Sequence, residues 1–263
     1  MTDNFDIIQR KLLGVPVVDC TSAELMRYID HCIQNSIKKI IYGVSVTFLG
    51  RIKKMPELMR FYREMDIIIS DGAGIPVLGK LFGVRIREHI GLPDTVERTI
   101  ALAGEKGYKV LLFGAQQEVN DRACNNILKN NPGITVCKGI NGYFKEEDGE
   151  RIVNDINSEA PDILLIGITA PIKERFALKY KDKLNVKIII PCGGMIDVFA
   201  GVTKREPDAI KGLPLTWLYR FIQEPRRLFG ATFVAGLYFM FCVFPVLWMK
   251  HVTGIERNPG IMA

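Results

Sequence analysis

The sequence contains few of the residues that disulfide scaffolds and metal centres require. Its 263 residues include six cysteines with no C-x-x-C pair, and a chain of this length needs no disulfide staples. None of its three histidines, His31, His89 and His251, lies at metal-ligand spacing from a second histidine or a cysteine. We therefore expect a reducing, cytoplasmic environment and neither a bound metal nor another cofactor.

Two common nucleotide-binding motifs are missing as well. No G-x-G-x-x-G opens a strand–helix unit and no G-x-x-x-x-G-K-[ST] occurs, so the dehydrogenase and P-loop ATPase classes lose their main support. The N-terminal residues lack the apolar run of a signal peptide, so nothing there predicts export. The net charge of +6 suits phosphate groups or an anionic membrane surface and is too small to indicate nucleic acid.

Short apolar runs alternate with helix-length amphipathic stretches between residues 38 and 200. This alternation predicts an α/β fold, Rossmann-like, with a mostly parallel sheet and helices on both faces. A helix is predicted over 118–130, and a capping box at Thr21 and Glu24 starts another. The predicted strands are 39–46, 66–70, 109–114, 134–139, 162–167 and 186–191.

The composition changes near residue 203, which predicts a core over 1–202 and a C-terminal helical, membrane-associating appendage over 203–263. Residues 228–249 form a run of 22 without a charged side chain. A helix of that length, about 33 Å, is long enough to span a bilayer, and the alternatives are a helix in one leaflet and a core or oligomer-interface helix. We favour membrane attachment, and the arginines before the run place the core at the cytoplasmic face.

Glycines follow four of the predicted strands, where an open parallel sheet binds its ligands. Glycine lets the backbone approach a phosphate, and the next helix offers free N–H groups, so the four loops together predict a nucleotide-type ligand. Asp71 follows the strand at 66–70 and is the candidate general base, with capping of the next helix as the alternative. Asp197 is either an acid that orients the ligand or a buried cap.

The sequence resembles the WecG/TagA/CpsF glycosyltransferases in ordered blocks over nearly the whole chain. The resemblance implies an inverting transfer of an N-acetylhexosamine or related hexose from a UDP-sugar to a polyprenyl-diphosphate-linked saccharide, in cell-surface polysaccharide or teichoic acid synthesis. The blocks include SDGAGIPV (70–77), NGYF (141–144), APIKE (170–174), CGGMIDVFAG (192–201) and WLYRFIQEPRRL (217–228).

The resemblance also implies roles for individual residues, with Asp71 as the general base. No D-x-D triplet occurs, so the charge of the diphosphate is expected to be neutralised by arginines of the appendage and not by a metal. The donor-binding residues are then Gly72, Gly74, Gly114, Gly167, Pro171, Lys173, Gly193, Gly194 and Asp197. The residues expected to bind the acceptor or the diphosphate are Ser45, Arg220, Arg226 and Arg227.

The sequence departs from the family pattern at several of these places. Gly43 and Ser45 replace a T-x-N pair, Ile90 replaces a threonine or serine, and Lys173 replaces a glutamine. Lys173 is expected to bind a phosphate or carboxylate or to pair with Asp71. These changes keep open a second hypothesis, a catalytically impaired, membrane-anchored sugar-nucleotide-binding or scaffold subunit. A homo-oligomer that buries the apolar run also stays open.

Overall fold

The structure, a computed structural model, describes residues 7–52, 57–205, 207, 219, 221–222 and 229–254. The chain divides into two compact units. The larger unit contains residues 23–42 and 92–205, and the second unit contains 7–22, 43–91 and the described residues from 207 onward. The predicted core over 1–202 and appendage over 203–263 stay predictions.

Strands and helices alternate along the chain. They run in the order β1 (Gln9–Leu12), β2 (Val15–Val18), α1 (Ser22–Gln34), β3 (Lys39–Val44), α2 (Val46–Ile52), α3 (Glu57–Glu64), β4 (Ile67–Ser70), α4 (Gly74–Leu81), α5 (Leu92–Lys106), β5 (Lys109–Gly114), α6 (Gln117–Asn130), β6 (Val136–Ile140), α7 (Gly149–Glu159), β7 (Ile163–Gly167), α8 (Ile172–Tyr180), β8 (Ile188–Ile190) and α9 (Met195–Phe199). Four consecutive helical stretches follow, Phe229–Val234, Ala235–Tyr238, Phe239–Val243 and Phe244–Val252, which we call together the C-terminal helix.

Six strands form one sheet in the order β4-β3-β8-β7-β5-β6. The pairs β3–β8, β7–β8, β5–β7 and β5–β6 are parallel. The strands β7 and β8 are almost completely buried, as expected for strands that helices cover on both faces. All six predicted strands are present, with ends within two residues of the prediction, and the predicted helix over 118–130 is α6. The predicted α/β, Rossmann-like fold is confirmed.

A two-stranded antiparallel hairpin, β1–β2, belongs to the second unit and was not predicted. Its two-residue turn consists of Leu13 and Gly14, with φ of 49° and 87°. Positive φ at both central positions is the geometry of a type I′ turn, which matches the twist of the paired strands. Leucine rarely adopts such a conformation, so the sequence at this turn gives little signal for a hairpin.

The C-terminal helix buries one narrow stripe against the rest of the second unit. The stripe consists of residues spaced four apart, which share one helix face: Ala235, Phe239, Val243 and Leu247. A Cβ added to Gly50 in α2 would collide with the carbonyl oxygen of Ala235, so the two backbones are in direct contact. The Phe82 ring, at the end of α4, lies edge-on to Phe244 at a centroid distance of 6.3 Å.

The opposite face of the C-terminal helix is apolar and exposed. Residues Ala235–Val252 form an 18-residue window of mean hydropathy 1.4, of which 22% is buried. By length and composition this helix is able to cross a membrane, which makes it a candidate membrane-associating segment. Its exposed apolar residues are Phe229, Val234, Leu237, Met240, Phe241, Val246, Met249 and Val252.

Candidate functional site

The larger unit brings strand-end glycines together at the carboxyl edge of its sheet. Gly114 of β5 and Gly167 of β7 are register partners. A Cβ added to Gly167 would lie 3.0 Å from the carbonyl oxygen of Gly193, the first glycine after β8. A Cβ added to Gly114 would collide with the Gly167 backbone. These three predicted donor-binding glycines therefore form one row of bare backbone.

The helices that follow β7 and β8 both begin at residues predicted to bind the donor. Pro171, which follows a cis peptide bond from Ala170, is the N-cap of α8, and Gly194 is the N-cap of α9. Asp197 stands at the third position of α9 and is half-buried. The backbone amide of Val202 donates a 2.9 Å hydrogen bond to the Asp197 carbonyl oxygen, which closes the end of α9.

A buried polar cluster lies in the same unit and consists of Tyr42, Lys173 and Glu174. The Lys173 Nζ donates a 3.0 Å hydrogen bond to the Tyr42 hydroxyl and lies 3.3 Å from Oε1 of Glu174. The Tyr42 hydroxyl in turn donates to the same Oε1. All three side chains are buried, and the second oxygen of Glu174, Oε2, has no hydrogen-bond partner in the part of the chain that the structure describes.

The surroundings fix the protonation states of this cluster. Burial alone lowers the pKa of Lys173, but the oxygens of Tyr42 and Glu174 outweigh it and raise the pKa of Lys173 above its usual value. Burial is also the main reason that the pKa of Tyr42 is raised. Burial raises the pKa of the neighbouring Cys192 to about 12. At neutral pH Lys173 is therefore an ammonium, beside the neutral phenol of Tyr42 and the neutral thiol of Cys192.

Lys173 thus has partners that the sequence analysis did not foresee. The expected contact of Lys173 with a phosphate or carboxylate of the donor stays a prediction. Its observed carboxylate partner is the adjacent Glu174, and its hydroxyl partner is Tyr42 on β3. The signals for both were weak, because Tyr42 lies inside an apolar strand and an acidic residue in a first helical turn is usually solvated.

The second unit holds Asp71 directly after β4. Its backbone amide donates a 2.9 Å hydrogen bond to the carbonyl oxygen of Val44 at the end of β3, and its side chain is half-buried. The helix α4 begins at Gly74 with Ala73 as its N-cap and has no side-chain cap hydrogen bond. Whether the Asp71 side chain also caps this helix stays an open alternative, as does its role as the general base.

The missing side chain at Gly43 makes room for Asp71. A Cβ at Gly43 would lie 2.8 Å from the Asp71 Cβ and 3.2 Å from its Cγ, closer than real side chains approach. The Tyr62 hydroxyl donates a 2.8 Å hydrogen bond to the Gly43 carbonyl oxygen, which holds this part of β3 in place. Gly43, expected from the sequence only as a truncated sugar contact, is thus a direct neighbour of the candidate base.

The segment around Asp71 is also tied to residues 88–90. The Ser70 hydroxyl donates to the Glu88 carbonyl oxygen at 2.9 Å and accepts from the Ile90 amide at 3.1 Å. The amide of Gly72, which has a φ of 91°, donates to Nε2 of His89 at 2.9 Å. Ser70 and His89 were not predicted as site residues, and their role here is to fix the loop that carries Asp71.

Ser45 and three arginines are the predicted site residues not yet placed. The Ser45 hydroxyl accepts a 3.3 Å hydrogen bond from the Phe48 amide and lies 3.0 Å from the Thr47 hydroxyl, so it caps the start of α2. Its expected contact with the acceptor stays a prediction. Among the residues that the structure describes, no group of three His, Cys, Asp or Glu side chains is placed to hold a metal ion. Arg220, Arg226 and Arg227 lie outside the described residues.

A comparison with protein families decides the identity of the chain. The model of the glycosyl transferase WecG/TagA/CpsF family matches residues 10–252. The chain belongs to this glycosyltransferase family. The match includes most of both units and the whole of the C-terminal helix.

Several characterised relatives of this WecG/TagA/CpsF member carry one name, N-acetylglucosaminyldiphosphoundecaprenol N-acetyl-beta-D-mannosaminyltransferase. The chain is 25% identical to that protein of Bacillus subtilis over 81% of its own length and 83% of the relative. It is 25% identical to that of Staphylococcus aureus over 82% of its length and 85% of the relative. A Bacillus spizizenii relative is 28% identical over 62% of each chain.

Proposed function

We propose that this protein is a membrane-associated, inverting glycosyltransferase. It transfers an N-acetylhexosamine or related hexose from a UDP-sugar to a saccharide linked to polyprenyl diphosphate, in the synthesis of a cell-surface polysaccharide or teichoic acid. The relatives' names support the lipid-linked acceptor, since those proteins act on N-acetylglucosaminyldiphosphoundecaprenol. The observation that carries the proposal is Asp71, a half-buried carboxylate at a strand end with its space cleared by Gly43.

The proposed role of Asp71 is that of the general base. It takes the proton from the acceptor hydroxyl while that oxygen attacks the anomeric carbon of the donor. The new bond forms on the face opposite the leaving group, and the UDP departs with the electron pair of the broken glycosidic bond. The position of the Asp71 carboxylate is fixed for this role, because the hydrogen bonds of Ser70 and Gly72 hold its loop to residues 88–90.

The donor is proposed to bind at the glycine row of the larger unit. Bare backbone at Gly114, Gly167 and Gly193 lets a nucleotide diphosphate approach closely, at the edge where parallel sheets bind such ligands. The same proposal includes Gly72, Gly74, Pro171, Gly194, Asp197 and Lys173. We propose that Arg220, Arg226 and Arg227 supply the positive charge for the leaving diphosphate, without a metal.

Membrane association is proposed to occur through the exposed face of the C-terminal helix, at the cytoplasmic face of the membrane. The stripe from Ala235 to Leu247 packs on its own unit, while the opposite apolar face is open. A helix held along its length by a folded unit cannot cross a bilayer without carrying that unit into it. We therefore favour a helix that lies in one leaflet over one that spans.

The catalytic part of the proposal is tested by UDP release. Purified protein in detergent is given a panel of UDP-sugars and a polyprenyl-diphosphate-linked N-acetylglucosamine acceptor. We expect acceptor-dependent release with one donor, and an Asp71→Asn variant slower by about 10³-fold because the base is lost. Binding of UDP should be unchanged in that variant.

The matched control is Asp155→Asn, which removes an exposed carboxylate of the larger unit and should leave turnover intact. Full turnover in the Asp71→Asn variant would contradict the assignment of the base. Binding of UDP without release from any donor would instead support the catalytically impaired subunit.

The membrane part is tested with Cys242, an exposed free thiol on the open face of the C-terminal helix. We expect a water-soluble maleimide at pH 8 to label it rapidly, and vesicles containing phosphatidylglycerol to slow that labelling about tenfold or more as lipid covers the face. Cys192 should stay unlabelled throughout, because it is buried and its pKa is raised to about 12, which leaves almost no thiolate.

The control is an Asp155→Cys substitution in a Cys242→Ser background, whose labelling the vesicles should not change. Equal labelling of Cys242 with and without vesicles would contradict a helix in the bilayer. Protection that depends on protein concentration and not on lipid would identify an oligomer interface.

A further inference from the structure

A groove in the second unit lies along α4 and has no role in the site described above. Its volume is about 560 Å³, and it lies between the helix and the chain that returns beside it. The return is fixed by the Val84 amide, which donates a 2.7 Å hydrogen bond to the Gly79 carbonyl oxygen, after a turn at Gly83 with a φ of 69°. The groove is lined by Pro76, Val77, Lys80, Gly83, Val84, Arg85 and Ile86.

The two cations of this groove differ from their neighbours. Arg87 contacts the buried Asp19, with its Nη2 donating to the Asp19 carbonyl oxygen at 2.7 Å and its Nε 3.3 Å from the carboxylate. Lys80 and Arg85 are exposed, and neither has an ion pair within the described ranges of the chain. Two unpaired positive charges beside an apolar lining suit a ligand that is itself anionic at one end and apolar along the rest.

The helix that forms one wall of the groove also contacts the C-terminal helix. Phe82, between Lys80 and the turn, lies edge-on to Trp248 and His251 of the C-terminal helix, at centroid distances of 6.0 and 5.2 Å. Val77, in the groove, is 59% exposed and extends the apolar surface along α4. The groove and the apolar face of the C-terminal helix therefore belong to neighbouring helices of one unit.

The same helix connects the groove to the candidate base. The helix α4 begins at Gly74, three positions after Asp71, and Lys80 lies six residues further on, about 9 Å along the axis. A diphosphate at Lys80 would thus lie at the far end of α4 from Asp71.

From these observations we infer that the α4 groove binds the diphosphate end and the first isoprene units of the polyprenyl-linked acceptor. The inference rests on the proposed function, and it assigns to Lys80 and Arg85 a recognition role for the acceptor lipid. The apolar lining from Val77 to Ile86 covers the start of the chain, and the two cations hold the diphosphate. A UDP-sugar fits this groove poorly, since the lining offers no aromatic surface for a base.

The test is equilibrium binding of a radiolabelled polyprenyl-diphosphate N-acetylglucosamine in detergent micelles, which needs no turnover. We expect Lys80→Gln with Arg85→Gln to weaken acceptor binding about tenfold or more, and each single change about threefold. Binding of UDP should not change. The conservative pair Lys80→Arg and Arg85→Lys should restore most of the affinity, which a merely structural defect would not predict.

A charge-matched control is Arg60→Gln with Arg63→Gln, which removes two exposed cations from α3 in the same unit. This control should bind the acceptor as the wild type does. If the wild type binds the acceptor and the Lys80 and Arg85 variant binds it equally well, the groove assignment is overturned. If the wild type binds no polyprenyl diphosphate at all, the proposed function fails together with the inference.

A second arm separates the acceptor from bulk lipid. Flotation of the variant with phosphatidylglycerol vesicles that contain no acceptor should match the wild type, because the apolar face of the C-terminal helix is intact. Loss of vesicle binding with unchanged acceptor binding in micelles would overturn the inference and make the groove a general headgroup contact.

Discussion

The two units of this protein treat charged and apolar groups in opposite ways. In the larger unit the charged side chains Lys173 and Glu174 are buried and matched to each other and to Tyr42. In the second unit Lys80 and Arg85 are exposed and unpaired within the described chain, beside an uncovered apolar helix face. The difference indicates that the larger unit pairs this buried cation and carboxylate with each other, whereas the second unit leaves cations and an apolar helix face exposed, which we propose to meet a ligand and a membrane.

The same contrast holds for apolar segments. The strand β7 and the C-terminal helix are both apolar, yet β7 is almost entirely buried and only 22% of the Ala235–Val252 window is buried. A strand needs neighbours for its backbone hydrogen bonds, and in a parallel sheet those neighbours bring covering helices with them. A helix satisfies its own backbone, so it can leave an apolar face uncovered for lipid.

The largest expected effect is on the free energy of unfolding, when the buried ion pair of the larger unit is broken. A Lys173→Met substitution leaves the Glu174 carboxylate buried without its cation, which should lower the free energy of unfolding by about 3–5 kcal/mol. Chemical denaturation at neutral pH measures this. The control is Lys179→Met on the same helix, whose exposed pair with Glu146 should contribute little. Equal losses in the two variants would show that burial does not distinguish these pairs.

The next effect concerns the candidate base in the second unit. A Gly43→Ala substitution places a Cβ 2.8 Å from the Asp71 Cβ and should displace the carboxylate. We expect kcat to fall by up to about 10²-fold, with smaller changes in KM and melting temperature, because misplacement of the reacting group is enough to slow the reaction. Steady-state kinetics of UDP release measure it.

The comparison variant for Gly43→Ala is Gly236→Ala, since a Cβ added there meets its nearest neighbour, Thr47, at 3.6 Å. Normal turnover in Gly43→Ala would mean that Asp71 does not need the space that Gly43 leaves.

The smallest of the three effects is a change in stability at the buried face of the C-terminal helix. A Gly50→Ala substitution in α2 would collide with the Ala235 carbonyl oxygen and should lower the free energy of unfolding by about 1–3 kcal/mol. Gly236→Ala, on the helix side of the same contact, should instead stabilise by about 0.5–1 kcal/mol through helix propensity. Denaturant unfolding measures both, and the same sign for both changes would contradict the packing of α2 against this helix.

Much of the fold was predictable because its signals are local. The six strands are nearly continuous apolar runs, four of which end at glycine or proline, and their limits agree with the structure within two residues. The β1–β2 hairpin was missed because Leu13 occupies a left-handed turn position that usually selects asparagine or glycine. The row of Gly114, Gly167 and Gly193 follows from the rule that parallel strands align their carboxyl ends.

Other features required the tertiary structure. The partnership of Tyr42 with Glu174 joins residues 132 positions apart, and no local pattern encodes it. The role of Gly43 could not be predicted from the sequence either. Only the packing of β3 beside β4 shows that the Asp71 side chain occupies the space that a Cβ at Gly43 would need.

The sequence by itself determined the α/β fold, the strand-end glycines, Asp71 as the candidate base and an apolar C-terminal helix, because periodicity and residue type act over a few neighbouring positions. Only the tertiary structure decided which charges are neutralised and which stay available, and which face of the C-terminal helix is covered. Those outcomes depend on contacts between distant segments, where burial makes an unpaired charge costly and a matched pair stable.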